Sequence, residues 1–167
     1  DAQVAADNSP APAADADPVA TLENLGAEIT RNEEGEVVEV AAASFSNNFT
    51  DAGLAHLKGM TQLQTLRLWG TNITGAGLVH LKEMVNLRVL DLSWTKITDA
   101  GLAPLSEMTN LRGLALSFTK ITDVGLMHLN EMTGLEGLSL PKQITDAGLE
   151  HLKEMTSLRE LELSTTQ

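Results

Sequence analysis

Histidine is the residue of this chain best suited to metal binding or proton transfer, and its copies recur in similar short segments. The four histidines are His56, His80, His128 and His151. A repeated imidazole could ligate zinc, whose bonds to nitrogen are about 2 Å long. Helices that stack side by side lie about 8 to 10 Å apart, so successive imidazoles would not converge on one ion. We therefore interpret the histidines as a duplicated surface position and predict no metal site and no cofactor.

Catalysis by a nucleophile would require a Ser, Thr or Cys side chain beside a general base. The chain has no Cys, which also excludes disulfides and thiolate metal sites. Glu160 and Glu162 share one face of a predicted strand, but a solvated acidic edge explains this carboxylate pair more simply. No histidine is predicted on the face that carries Asp91 and Ser93. We therefore predict that the protein is not an enzyme.

A regular repeat organises most of the chain and must position any functional side chain. Five copies of the frame L-x-x-L-x-L begin at spacings of 24, 24, 24 and 23 residues, at Leu63, Leu87, Leu111, Leu135 and Leu158. An irregular copy precedes them at residues 47–54. Because a fixed period outweighs local propensity, we predict about six units, of which the last stops at Gln167.

Each copy predicts one strand followed by a short helix. In one copy Leu90 and Leu92 fall on one strand face and Asp91 on the other, while Leu102 and Leu105 recur at helical spacing. We predict five parallel strands across residues 63–163. The leucines expected in their common core are Leu66, Leu68, Leu90, Leu92, Leu114, Leu116, Leu138, Leu140, Leu161 and Leu163.

Two sets of polar residues are expected to bind free backbone groups. Thr98 and Asp99 precede a predicted helix and should accept hydrogen bonds from its first backbone donors. A second register position should bind the backbone of the adjacent copy, and it holds Asn47, Thr71, Thr95, Thr119 and Thr166. Residues 140–144 form a shorter connection without this Thr, so we expect the series to break there.

These repeats resemble the leucine-rich-repeat family, and are most similar to a class in which the segment ITDAGL follows the strand, as in GALA-type and many secreted bacterial repeat proteins. The resemblance covers about residues 37–167. It implies an α/β solenoid: a right-handed coil with a parallel sheet on the concave side and short helices on the convex side. It also implies a binding role in a soluble bacterial protein that is secreted or periplasmic. GALA-type proteins carry an F-box before their repeats; none is recognisable here, so a ubiquitin-adapter role is not carried over.

The concave face is predicted to carry an unusual share of the aromatic residues. Trp94 and Phe118 share one register position in adjacent coils about 4.8 Å apart, so their rings should touch, with Trp69 beside them. Arg67 and Asp91 lie on the same face. Aromatic residues next to Arg are common in binding hot spots, so these five residues are the predicted partner-binding patch. An equally weighted alternative is that the rings pack on the turn backbone and seal the edge of the core.

A shallow trough is expected beside this patch. Its position follows from four small residues on the same face of two adjacent strands, which are Gly113, Ala115, Gly137 and Ser139.

The first forty residues differ from the rest in composition and charge. They contain ten of the 23 acidic residues but only one basic residue. Residues 1–18 are rich in Ala, Asp and Pro and are predicted to form a disordered tether, whereas 19–36 are predicted to form a helical cap that continues to Ile29 before a turn at Glu33 to Gly35. The repeat domain is predicted to occupy residues 37–167.

The net charge of −12 and the absence of a basic cluster argue against nucleic acid as a binding partner. No apolar run in the sequence is long enough to span a membrane.

The leading functional hypothesis is a non-catalytic module that binds a protein or peptide through its concave face. Two alternatives remain open. One is a structural or self-assembling element whose last strand pairs edge to edge with another chain. The other is a regulatory repeat domain of a larger protein.

Overall fold

The computed structural model describes residues 17–42 and 48–164. The segments 1–16, 43–47 and 165–167 lie outside these described residues. The predicted tether therefore falls almost wholly outside them, as do Asn47 and Thr166.

One sheet of seven strands, arranged in sequence order, runs through the described residues. The strands are β1 Ala27–Arg31, β2 Val37–Ala42, β3 Thr65–Arg67, β4 Val89–Asp91, β5 Gly113–Ala115, β6 Gly137–Leu140 and β7 Glu160–Leu163. Strand β1 is antiparallel to β2, and every later pair is parallel. The α/β leucine-rich-repeat architecture expected from the repeat is confirmed, as are the five parallel strands between residues 63 and 163.

Short helices of one or two turns precede β1 and connect the strands from β2 onward. The α-helices are α1 Pro18–Asn24, α2 Asp51–Leu54, α3 Asp123–Leu126 and α4 Asp146–Leu149, and the 3-10 helices are Ala55–Leu57, Gly77–Leu81, Asp99–Leu105 and Glu150–Leu152. The predicted inner face of one helix is correct, because Leu102 and Leu105 are fully buried. Strands and helices thus share one continuous leucine-rich core.

Helix α1 is shorter than predicted. Its N-terminus is capped by Asp17, whose Oδ1 accepts a hydrogen bond from the Val19 amide at 3.0 Å, and Pro18 is its first residue. The helix ends at Asn24, and Gly26 follows with a φ of +90°. The prediction that the helix reaches Ile29 is wrong, because Ile29 lies in β1 opposite Val40. The left-handed backbone at Gly26 ends the helix, and β-branched residues then favour the hairpin with β2.

The first coil is therefore covered by a helix and a strand rather than by a helix alone. Leu22 of α1 is fully buried, and the predicted turn near Gly35 joins β1 to β2 with a φ of +84° at this glycine. The assignment of residues 19–36 as a separate cap, and of 37–167 as the repeat domain, stays a prediction.

Eight of the ten leucines predicted in the core are buried. The exceptions are Leu161 and Leu163 on β7, which are 42% and 47% exposed. The burial predicted for these two is wrong because β7 pairs only with β6 among the described residues. A leucine on an inner strand is covered by coils on both sides, whereas a leucine on β7 is covered on one.

Carboxylates of one coil bind threonines of the next coil. Asp99 Oδ1 accepts a hydrogen bond from the Thr122 amide at 2.7 Å, and its Oδ2 accepts one from Thr122 Oγ1 at 2.7 Å. The same two bonds link Asp51 to Thr74 and Asp123 to Thr145. The prediction that Asp99 and Thr98 cap their own helix is therefore wrong, because the adjacent coil offers an amide and a hydroxyl together.

This carboxylate also explains the glycine that follows each of these threonines. A Cβ atom on Gly77, Gly125 or Gly148 would collide with the Oδ1 atom of the preceding coil's Asp. One coil lacks this Asp and has Gly75 at the same register position. The backbone of Gly75 lies directly against Gly101 of the next coil. Close helix contact is thus maintained with or without the carboxylate.

The threonines predicted to bind the adjacent coil form their hydrogen bonds within their own coil instead. Thr71, Thr95 and Thr119 are buried, but each hydroxyl donates to a carbonyl three residues earlier in its own coil, at 2.6 to 2.7 Å. In the shorter connection Gln143 reaches the preceding coil instead and donates from Nε2 to the carbonyl oxygens of Thr119 and Ile121, at 3.0 and 2.5 Å. The prediction of an inter-coil series broken at 140–144 is therefore wrong. A three-residue turn closes locally through Thr, whereas the shorter turn uses a longer side chain.

Burial of the core leucines predicts a large effect of truncation. Leu114→Ala should lower the free energy of unfolding by about 2 to 5 kcal/mol, because it leaves a cavity in a close-packed core. Leu161→Ala is a matched control, since Leu161 has the same register position but is exposed, and it should cost less than about 1 kcal/mol. Urea unfolding of both variants tests this, and equal losses would contradict the burial difference.

The hydrogen bonds between Asp123 and Thr145 predict that the free energy of unfolding depends on pH. Hydrogen bonds from the Thr145 hydroxyl and amide lower the pKa of Asp123 below its ordinary value of 3.8. A lowered folded-state pKa stabilises the protein above the unfolded-state pKa, and this contribution is lost as the pH falls through the folded-state pKa. Wild type should therefore be more stable than Asp123→Asn near about pH 6, and the difference should shrink near about pH 3.

Urea unfolding at both pH values measures this difference. Asp146→Asn is the control, because Asp146 has the same register position with no described threonine opposite it, and it should change stability less than Asp123→Asn. A difference between wild type and Asp123→Asn that grows on acidification would contradict the assignment.

Candidate binding surface

The turns that leave the sheet hold two aromatic residues in a left-handed backbone conformation. Trp94 and Phe118 each have a φ of +58°, and the equivalent residue of the preceding coil is Gly70, with a φ of +69°. In two of these turns the Thr amide bonds the carbonyl three residues earlier, at 3.2 and 3.3 Å. The third position of such a turn favours glycine. A bulky residue there costs about 1 to 2 kcal/mol, so the aromatic residues are not present for turn stability.

The rings of Trp94 and Phe118 stack on each other. Their centroids are 4.3 Å apart with an interplanar angle of 23°, which confirms the predicted contact. The two residues are 48% and 46% exposed, although the Thr95 and Thr119 side chains next to them are buried. Stacking therefore covers part of each ring, and about half of each residue remains exposed to solvent.

Trp69 occupies a different position from the other two aromatic residues. It lies one residue earlier in its turn, in register with Ser93, and it is half-buried. The Gly70 amide bonds the Ser93 carbonyl at 2.9 Å, which holds this turn against the next coil. Trp69 therefore lies in the coil before Trp94, one register position earlier in its turn.

Arg67 and Asp91 are opposite each other on β3 and β4, but each is engaged elsewhere. The Arg67 guanidinium forms an ion pair with Glu39 at 3.1 Å, and its side chain is 58% exposed. Asp91 Oδ1 accepts a hydrogen bond from the Ser93 amide at 2.9 Å. Asp91 therefore supports the turn before Trp94, while Arg67 keeps further donors for a ligand.

A trough of about 630 Å³ lies on the concave face of β3 to β7. The four small residues predicted to form it line the trough, and Arg67 and Asp91 line it as well. Its other end carries Arg159, Glu160 and Glu162, and Ser139 Oγ is 2.9 Å from Glu162 Oε2. The predicted site residues thus fall into two groups, with the polar pair in the trough and the stacked rings on the turns.

Sequence reasoning missed three lysines beside the stacked rings. Lys96 and Lys120 are exposed and follow Trp94 and Phe118 by two residues, with a buried Thr between them in each case. Lys142 is also exposed and takes the position of Phe118 in the next coil, as the register from β5 to β6 continues. The repeated spacing W-T-K and F-T-K was a signal that could have found the first two.

Within residues 17–42 and 48–164, no group of three or more His, Cys, Asp or Glu side chains could hold a metal ion. The histidines lie within or next to the short helices and not on the strands that form the trough. None of the described helices has the length and apolar character needed to cross a membrane.

Part of the repeat region matches a known family model, and the chain is similar to one solved structure. The family model described as leucine-rich repeat matches residues 84–106 and 107–129. The crystal structure of an internalin from Listeria monocytogenes is similar, with 22% sequence identity and a TM-score of 0.43 over 90% of this chain. The match covers 55% of the internalin, so this chain spans about half of its length. No curated protein matches the sequence.

The left-handed backbone at Phe118 predicts that a glycine variant is more stable than an alanine variant at this position, which is the reverse of the usual order in a strand. Phe118→Gly should be more stable than Phe118→Ala by about 1 kcal/mol, because glycine adopts a positive φ without a Cβ penalty. At Val89, an exposed strand residue with ordinary backbone, the Ala variant should instead be the more stable. Urea unfolding of the four variants checks this, and the same order at both positions would argue against strain at Phe118.

Proposed function

Because the chain is a leucine-rich-repeat protein, we propose that it is a protein-interaction module that binds a protein or peptide through its concave face and the adjoining turns. The proposed contact patch consists of Arg67, Trp69, Asp91, Trp94 and Phe118. Its role is non-catalytic. We extend the proposal to a secreted or periplasmic setting, which is the setting implied by the resemblance of the ITDAGL segments to secreted bacterial repeat proteins.

The observation that carries this proposal is the stacked pair on strained turns. Trp94 and Phe118 occupy a position where Gly70 shows that the fold needs no side chain, and both remain about half exposed. Residues in rare backbone conformations cluster at functional sites, where another role offsets their cost. Large aromatic residues that lose little entropy on binding are frequent anchors of interfaces. A partner that covers the open ring surfaces would account for both features.

The trough adds the second half of the proposed surface. Glycines on adjacent strands bring the backbone of the sheet close to any ligand, and charged residues stand at both ends of the trough. An extended peptide or a narrow ridge of a folded partner fits such a shape. The stacked rings would anchor it, and Arg67 would fix its direction.

Site-specific photo-crosslinking tests the proposed surface. Benzoylphenylalanine at position 118 should form a covalent adduct with a protein in extract of the source organism, and Trp94→Gly in the same chain should reduce its yield at least about tenfold. The control places the photo-crosslinker at Val124 of α3, which is exposed on a helix away from the trough. Failure to form an adduct at 118, or the same adduct at both positions, would refute binding at this surface.

A self-assembling element is the second candidate, and the exposed Leu161 and Leu163 on β7 favour it. If this edge pairs two chains, light scattering should show a mass that rises with concentration, and Leu163→Glu should prevent the rise. A monomer at all concentrations would remove this candidate and leave the concave surface unaffected.

A further inference from the structure

The stacked rings are bordered by a row of cations. Lys96 and Lys120 lie in consecutive coils, and their amides bond the carbonyl oxygens of Ile73 and Ile97 at 3.0 and 3.1 Å. These bonds hold the two residues at the spacing of adjacent strands, about 4.8 Å. In each of these turns an exposed ring and an exposed lysine stand on either side of a buried Thr.

Lys142 extends the row into the next coil. The two hydrogen bonds from Gln143 to the preceding coil, described above, hold the shorter turn against it. Pro141 before it is buried, whereas Lys142 is exposed and takes the register position of Phe118. The shorter connection thus replaces a third aromatic residue with a cation.

These lysines have no acidic partner among the described residues. The ion pairs found in residues 17–42 and 48–164 join Arg67 to Glu39 and Arg112 to Glu136. The nearby carboxylates of Asp99 and Asp123 are engaged by threonines of the next coil. In a chain of net charge −12, this leaves a strip of lysines that form no ion pair among the described residues, next to exposed aromatic surface.

We propose that the segment recognised by the stacked rings is an acidic peptide, with an apolar or aromatic side chain flanked by two or more carboxylates. This inference rests on the proposed function and adds the chemistry of the partner. The apolar side chain packs on Trp94 and Phe118, and the carboxylates meet Lys96, Lys120 and Lys142. Complementary charge across an interface determines specificity and association rate more than total affinity.

The rest of the surface favours a peptide over a nucleic acid. Glu160 and Glu162 stand at the far end of the trough and would repel a continuous phosphate backbone. An acidic peptide can instead place its carboxylates at the lysines and a neutral or basic stretch near the glutamates. Three lysines supply too few contacts for the electrostatic binding on which nucleic-acid affinity depends.

A selection with a displayed library of random twelve-residue peptides tests the inference. Peptides that bind the full chain are counterselected against the Trp94→Gly/Phe118→Gly variant, so that those dependent on the rings remain. We expect these to be enriched in Asp and Glu next to an apolar residue. In a synthetic copy of the strongest peptide, changing Asp to Asn and Glu to Gln should weaken binding about tenfold, as expected for a few exposed charge pairs.

Two charge-matched variants identify the cations involved. The triple variant Lys96→Gln/Lys120→Gln/Lys142→Gln should bind the acidic peptide and its amide copy with affinities within about threefold of each other. The triple variant Lys58→Gln/Lys82→Gln/Lys153→Gln changes the net charge equally, but its lysines follow the short helices rather than the rings. It should keep the tenfold preference.

The outcomes separate the inference from the proposed function. If no peptide depends on the rings, the proposed function fails and the inference with it. If ring-dependent peptides show no acidic enrichment, or bind equally as amides, the inference is overturned while the binding surface stands. Equal losses in both triple variants would also overturn it, because net charge rather than the lysine strip would then control binding.

Discussion

Each coil must keep its strand in register with the strands of its neighbours, because the backbone groups of a three-residue strand have few other partners. This constraint brings Leu66, Leu90, Leu114 and Leu138 into line through the core. It also means that any residue faces its own register equivalent at the spacing of strands, about 4.8 Å. A residue type that recurs at the same position of each repeat therefore forms a row of side chains across adjacent coils.

Several rows follow from this single constraint. The carboxylate of one coil meets the threonine of the next, and the glycine after that threonine leaves space for it. The stack of Trp94 on Phe118 has the same origin, as does the strip of Lys96 and Lys120. The rows differ in what they contribute, since buried rows stabilise the solenoid whereas exposed rows determine what it presents.

The exposed rows are expected to lower the stability of the folded protein in two ways. Aromatic residues replace glycine in left-handed turns, and lysines are brought close to one another without acidic partners among the described residues. Both costs are small against a core of more than thirty buried apolar side chains. A regular core can therefore carry a strained and charged edge, and that edge is where a partner gains most from contact.

The sequence by itself determined the repeat, the inward leucines, the parallel strands, the trough and the contact between Trp94 and Phe118, because a fixed period converts sequence spacing directly into spatial register. Tertiary structure decided the partners of polar side chains. Asp99 could cap its own helix or bind Thr122, and only the position of the next coil selects the second. Thr95 bonds its own turn, and Gln143 crosses between coils, because turn length sets the reach that each needs. Tertiary structure also decided the exposure of Leu161, since periodicity assigns a leucine to the inner face but burial requires a neighbouring coil on both sides.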